Sequence, residues 1–381
     1  MNNNNNNGNS NGNKIRVIVT EGTPFERGFA HGKACKDDII RYAEERISLA
    51  QQKKWSGHDL TRDEVLAVAE QCLPDHEAYA ADLMEEWRGM AEATGLSLAE
   101  LVVVGGFTDF VDVLYNNIVP PATKESVTPI DDCTCFLVPD STTGDGMGFF
   151  GQTWDMHATA LPFVILLHVK KGPNQPEALV FTTTGCLGQI GMNEHGLCIG
   201  INNLVAKDGQ IGVTWNFVVR KALQQKTAEE ALRCVTEAKL AGAHNFLIFD
   251  KTGSGFNVEA MSTRQVVTPL KEKPIGHTNH CLLKETIAVQ QQRPEGLQKS
   301  SEQRLQLADE LLQKRPLTIN DLMAMTRKPP ICTHSEAPFH VASCGAAIMQ
   351  PATLSFWALD GYPDENEYQE FSLAPKAEKE A

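Results

Sequence analysis

No apolar run in this 381-residue chain comes near the ~18–20 residues needed to cross a bilayer, so no membrane-spanning role is expected. Basic residues are also in short supply. Lys and Arg number 34 against 48 Asp and Glu, a formal charge of −14. That balance argues against nucleic acid or an anionic membrane as a partner, since both need clustered cations. No charged-then-apolar leader opens the chain, so a cytoplasmic location is expected, and no G-x-x-x-x-G-K-[ST] phosphate loop occurs. Internal repeats are absent. What remains is ordinary globular composition, 42% hydrophobic and 22% charged. Ten cysteines are scattered along the chain. In a reducing compartment they read as buried thiols, not disulfides, with one free to serve as a nucleophile. Residues 1–14 are an Asn-rich stretch and read as a disordered tail.

The pattern changes near residue 130. Before it, a short strand at Ile15–Thr20 leads into helices. Ile40, Ala43, Ile47 and Ala50 share one helical face, as do Tyr79, Leu83, Trp87 and Met90. The second set stops at Gly95, a natural left-handed cap, and Ser97 with Glu100 forms a capping box for the next helix. Residues 117–131 carry three prolines and read as an exposed loop. After it, strands dominate: Thr134–Pro139 and Met147–Trp154 flank a turn at 143–146, and further strands are expected at 163–169, 178–183, 197–202, 245–250 and 256–260. Helices are expected at 215–223, 227–238, 300–314 and from Thr318, with a closing hairpin at 342–350 and 353–359. Strands and helices come in runs instead of strict alternation, which favours an α+β layered sheet sandwich over a doubly wound parallel sheet.

The sharpest local feature is Asp131-Asp132-Cys133-Thr134-Cys135-Phe136, where an exposed loop enters an apolar strand. A hairpin turning near residue 143 sets Cys133 opposite a residue near 153 and brings Asp155 beside it. A carboxylate next to a loop-adjacent thiol can position an ammonium or a proton-transfer group, although alone it raises a thiol pKa. Cys135 reads as core packing, because a disulfide between residues i and i+2 is badly strained. His277-Thr278-Asn279-His280-Cys281 offers two metal ligands, but no second cluster has comparable spacing, so no metal is expected.

Several segments together, in order and spacing, resemble one family. They are Gly22-Thr23-Pro24-Phe25-Glu26-Arg27-Gly28 with His31-Gly32, Met90 to Gly95, Gly151-Gln152-Thr153-Trp154-Asp155, Asn193-Glu194-His195-Gly196-Leu197 with Gly200-Ile201-Asn202, His277-Thr278-Asn279-His280, and Glu365-Asn366-Glu367-Tyr368. The chain is similar to the acyl-coenzyme A:6-aminopenicillanic acid acyltransferase family of N-terminal nucleophile hydrolases over nearly its whole length after the tail. The resemblance implies a four-layer αββα sandwich and a precursor that cuts itself between Asp132 and Cys133. An N-terminal fragment, 15–132, stays with a catalytic fragment, 133–381, as one globular unit and as its partner. Cys133 is then the nucleophile and its own α-amine, with an ordinary pKa near 8, the base.

By the same resemblance Asp155 matches the carboxylate near the nucleophile and Asn279 the side-chain donor to the oxyanion. Thr184 and Gly185 supply a backbone N–H donor, and Thr134 helps the cut. The family's C-terminal Arg has no clear counterpart; the matching region is Ala342-Ser343-Cys344, which makes Ser343 a candidate. Gly often precedes the nucleophile in the family, where this chain has Asp132. The implied function is a cysteine amidohydrolase or acyltransferase acting on a small N-acylated compound, with hydrolysis preferred. No cofactor is expected, and a coenzyme A thioester is admitted as a co-substrate. Other readings are an acyl-CoA-dependent N-acyltransferase, a catalytically silent binder on the same fold, and a thiol-dependent peptidase.

Overall fold

The computed structural model describes residues 14–118, 131–173 and 175–375. The Asn-rich stretch up to Asn13 and the loop expected before Asp131 lie outside the described residues, apart from positions at their edges. The fold begins with strand β1 (Val17–Thr20) and continues through helices α1 (Pro24–Ala34), α2 (Lys36–Ala50), α3 (Lys53–Ser56), α4 (Arg62–Tyr79), α5 (Ala81–Thr94), α6 (Leu98–Gly105) and α7 (Phe107–Asn117). Strands follow: β2 (Asp131–Val138), β3 (Phe149–His157), β4 (Val164–Val169), β5 (Ala178–Thr183), β6 (Ile190–Asn193) and β7 (Leu197–Leu204). Helices α8 (Trp215–Ala222) and α9 (Ala228–Thr236) separate these from β8 (Ala243–Asp250), β9 (Gly255–Ala260), β10 (Gln265–Pro269) and β11 (Ile275–His277). The rest is α10 (Lys284–Ile287), α11 (Glu295–Leu311), α12 (Ile319–Thr326), β12 (Val341–Gln350), β13 (Ser355–Asp360) and β14 (Gln369–Ser372).

The strands form two sheets, ordered β1-β4-β5-β6-β7-β8-β9-β10 and β11-β2-β3-β12-β13-β14. They pack face to face, with β2 and β3 against β7. Gln152 of β3 bolts them together: its Nε2 donates to Ile201 O at 2.6 Å and its Oε1 accepts from Ile201 N at 3.0 Å. Helices α8 and α9 cover the outer face of the first sheet, and α11 and α12 that of the second. This is the expected αββα sandwich. Strands β2, β7, β8 and β12 are buried along their whole length, because both faces of each central strand are covered. They read in the sequence as runs without clean alternation for that reason.

Local chemistry accounts for the helix ends. Thr61, Ser97 and Thr318 each close a capping box, and Gly95 ends α5 at φ 84°. The segment opening with Gly22 is structural. Thr23 caps α1 through a box with Glu26, and α1 then crosses α5 at glycine–glycine distance. A Cβ at Gly28 would sit 1.7 Å from Glu86 O, and one at Gly89 2.0 Å from Phe25 O. Close approach lets Arg27 reach Glu86 at 3.4 Å, with Arg220 of α8 3.3 Å from the same carboxylate. Gly28→Ala is expected to lower stability by about 1–3 kcal/mol, since backbone must shift to admit the methyl group; the urea unfolding midpoint reads this directly.

Candidate active site

Cys133 lies on β2, paired with Trp154 of β3, and the neighbouring Asp132 pairs with Asp155. Directly opposed residues in an antiparallel pair project to the same face. Cys133, Cys135 and Trp154 therefore face the first sheet, whereas Asp132, Thr134 and Asp155 face α11. Asp155 lies beside the Cys133 end of the strand as expected, directly across from Asp132, but its side chain is on the face opposite the thiol. A register one residue different from that assumed is the reason, because a one-residue slip exchanges faces.

The thiol is 1% exposed and borders a cavity of about 20 Å³ lined with Tyr42, Phe107, Trp154, Ile201 and Trp215 among others. That is room for about one water. Burial pushes the Cys133 thiol well above its ordinary pKa, Asp131, Cys135 and Asp155 push in the same direction, and Arg304 opposes them. In this closed form Cys133 is a neutral thiol. Cys135 donates its S–H to Ile201 O at 3.4 Å, in keeping with a packing role.

Both backbone groups of Cys133 are held. Its N–H donates to Asn279 Oδ1 at 2.7 Å and its carbonyl accepts from Arg304 Nη1 at 2.6 Å. Arg304 also donates to Asn279 Oδ1 at 3.0 Å and to Thr134 Oγ1 at 3.3 Å. Asn279 Nδ2 donates to Asn203 O at 3.1 Å. Two donors on one side and an acceptor on the other fix which way the amide points. The loop carrying Asn279 is pinned to α11, where Ser301 Oγ accepts from Asn279 N at 2.9 Å and Ser301 O from Thr278 Oγ1 at 3.0 Å. His277 and His280 are taken up by Glu259 and Ser301.

Asp132 is the carboxylate of a buried ion cluster, 2.6 Å from Arg293 Nη2 and 2.9 Å from Arg304 Nη2. Asp155 accepts from Ser343 Oγ at 2.5 Å. Burial pushes the Asp155 carboxyl up to about 7; Arg304 and the Ser343 hydrogen bond pull it down, and Asp132 and Asp131 raise it further. Asp131, bonded to Asn203 Nδ2 at 2.6 Å, is also pushed up to about 7 by burial, against the pull of His244 and Arg293. Thr184 N–H donates to Phe163 O at 2.9 Å. Gly185 N–H is 3.3 Å from His31 Nε2, which accepts it, and burial lowers the His31 pKa to about 4 so that the ring stays neutral. Neither Thr184 nor Gly185 offers a free N–H to Cys133 in this arrangement.

The structure thus gathers Cys133, Thr134, Asn279, Asp132, Asp155 and Ser343 around one cationic centre that sequence reasoning missed. Arg304 had a readable signal. Leu297, Ser301, Arg304 and Ala308 are the buried positions of α11, so a charged residue stands on the inward stripe of an amphipathic helix. Arg293 precedes the helix and carries no such signal.

Two packed sheets flanked by helices thus carry a strand-borne cysteine held at both backbone groups. The chain belongs to the acyl-coenzyme A:6-aminopenicillanic acid acyl-transferase family, whose profile matches residues 141–331. That span holds Asp155, Asn279, Arg293 and Arg304 and begins after Cys133. The acyl-coenzyme A:6-aminopenicillanic-acid-acyltransferase 40 kDa form of Emericella nidulans is 25% identical over 283 residues, covering 73% of this chain and 72% of that protein. Among solved structures, a Caenorhabditis elegans N-acylethanolamine-hydrolyzing acid amidase ortholog is matched at TM-score 0.43 and 13% identity, over 58% of this chain and 93% of that one. A conjugated bile acid hydrolase variant from Clostridium perfringens is matched at TM-score 0.41 and 14% identity, over 63% and 96%. No helix of the described residues is long and apolar enough to cross a membrane.

The raised carboxyl of Asp155 has a consequence for stability. Its folded pKa near 7 lies above the ordinary value of about 3.9. The group's favourable contribution is therefore complete below pH ~4 and is lost as pH rises toward 7. In a Cys133→Ala background, Asp155→Asn is expected to raise the melting temperature above pH 7 and to leave it nearly unchanged at pH 4. An Asp155→Asn chain that melts lower at both pH values would assign the carboxylate to packing.

Proposed function

We propose that the protein is a self-processing N-terminal cysteine amidohydrolase acting on a small N-acylated compound. The observation that carries this reading is the double grip on Cys133, its N–H by Asn279 and its carbonyl by Arg304. In the first reaction the Cys133 thiol attacks the Asp132 carbonyl carbon. The C–N bond breaks, the nitrogen gains the thiol proton and becomes a free amine, and a thioester links Asp132 to Cys133. Water then hydrolyses that thioester, leaving a carboxylate on Asp132 and a free thiol. Arg293 and Arg304 hold the Asp132 side chain while its carbonyl is attacked, a task that Gly at this position leaves to backbone freedom.

After the cut, Asn279 Oδ1 is already placed to hold the amine that serves as base, and the Asp155 carboxylate supports the ammonium form. Asn279 Nδ2 is the proposed oxyanion donor, on releasing Asn203 O. Thr134 and Ser343 act through Arg304 and Asp155. For a backbone donor the Gly185 N–H must give up His31. The pairing of β1 with β4, from Val17 opposite Leu166 to Thr20 opposite Val169, supports fragments that stay together. Purified protein is expected to show two masses, residues 1–132 and 133–381, eluting as one species, and Cys133→Ala a single chain. An active wild-type protein that remains one chain overturns the reading.

Substrate turnover follows the same path, with water resolving the Cys133 thioester. Acyl transfer is the second reading, favoured by the name of the Emericella relative. There an amine resolves the same thioester and a coenzyme A thioester supplies the acyl group. Release of free acid from an N-acyl amine without an added acceptor separates the two. Asn279→Ala, assayed on the processed fraction, is expected to lower kcat by about 10²–10³-fold with KM little changed. A raised KM with normal kcat would move Asn279 out of the reacting centre and into loop support.

A further inference from the structure

A second cluster of reactive side chains lies at the outer edge of the β12 layer. Cys332 and His334 stand two residues apart just before β12, and Asp364 comes from the turn between β13 and β14. Their ligating atoms all lie within 4.8 Å of one another. Cys332 Sγ is 3.2 Å from Asp364 Oδ1, and His334 Nε2 is 2.9 Å from Asp364 Oδ2 and 3.1 Å from Oδ1. Around a tetrahedral zinc with bonds of ~2.0–2.3 Å, ligand atoms are about 3.3–3.8 Å apart. The two pairs that share Asp364 need to open by only a few tenths of an ångström, and Cys332 Sγ and His334 Nε2 already lie within 4.8 Å of each other.

We propose that Cys332, His334 and Asp364 form a Zn²⁺ site with three protein ligands and a water in the fourth position. A thiolate, an imidazole and a carboxylate suit zinc and exclude the hard cations Mg²⁺ and Ca²⁺, which take oxygen ligands. Binding displaces the shared hydrogens: the thiol proton leaves to solvent as the Zn–S bond forms, the hydrogen that His334 Nε2 shares with Asp364 leaves to solvent with the ring's remaining N–H on Nδ1, and Nε2 then donates its lone pair to the ion. The ring is preoriented by stacking on Tyr362 at 4.2 Å and 11°. The Asp364 turn is pinned by Glu365 N and Asn366 N, both donating to Tyr362 O. The side chains of His334 and Asp364 are 42% and 33% exposed, so the ion and its water have access, while Cys332 is the buried anchor.

The position couples the site to Asp155. Thr333, between the two ligands, donates its N–H to Ser343 Oγ at 2.9 Å, and its carbonyl accepts from Ser343 N at 2.7 Å. Ser343 in turn donates to Asp155. A metal here clamps the strand that supports the carboxylate, without touching the reacting atoms.

Metal content and cobalt spectroscopy on the full chain test the site. The Cys133→Ala chain is expected to take up one Zn²⁺ per molecule and, with Co²⁺, to show the near-ultraviolet thiolate-to-cobalt band. Adding Cys332→Ser should abolish the band, and His334→Ala should weaken Zn²⁺ binding at least about tenfold. His334 is half-exposed, so its loss leaves folding intact, which the melting temperature of the metal-free variant checks. Equal zinc affinity in the parent and His334→Ala chains, a cobalt band that survives Cys332→Ser, or no band in the parent overturns the proposal.

Discussion

A guanidinium without water is the constraint around which the catalytic layer is arranged. Arg304 is fully buried, and a buried cation must be matched by charge and by acceptors for its donors. Asp132 supplies the charge, and Cys133 O, Asn279 Oδ1 and Thr134 Oγ1 supply the acceptors. Removing one partner of such a pair typically costs about 3–5 kcal/mol, because the other is left uncompensated. The residues on either side of the proposed cut are thus fixed by electrostatics more than by packing. Asp132, directly before Cys133, is the counter-ion that two buried arginines need.

The same cluster surrounds a thiol that is closed off from solvent. A neutral thiol beside a cavity that admits about one water cannot engage an external substrate. Larger grooves lie elsewhere. One of about 750 Å³ reaches Arg293 and is lined by Gln291, Lys299 and Glu302, whereas one of about 900 Å³ lies at the far end of β2, around Pro139 and Pro274. Neither groove reaches Cys133, whose own cavity holds about one water.

Much of this is legible in the amino-acid order. Caps at Ser97 and Gly95 are local chemistry and stand where expected. Turn position sets Cys133 opposite residue 153, and the structure has Trp154 there. That single step leaves Asp155 near the nucleophile in distance yet reverses its face, and no local signal reports it. Edge strands β10 and β14 leave little trace in the sequence because they carry few buried side chains. Strand β11 is three residues long, too short for a period to register. Arg293 and Thr333 act through contacts between segments far apart in sequence, which local patterning does not encode. The N–H groups of Thr184 and Gly185 are identifiable as residues, but which acceptors they face depends on Phe163 and His31.

Charge balance gives the proposed cut a thermodynamic direction. Three buried carboxyls, Asp131, Asp132 and Asp155, face two buried guanidiniums, Arg293 and Arg304. Fully ionised they carry one negative charge in excess, and burial offsets it by driving both Asp131 and Asp155 toward protonation near pH 7. Cleavage places an ammonium on Cys133, at the nitrogen that Asn279 already holds. The new carboxylate forms on Asp132, on the fragment whose end is then free to move toward water. The ammonium compensates the excess carboxylate and lowers the thiol pKa that Asp131 and Asp155 had raised. In the proposed product the ammonium takes the place of the proton that Asp131 and Asp155 share before the cut, so that both carboxyls can ionise.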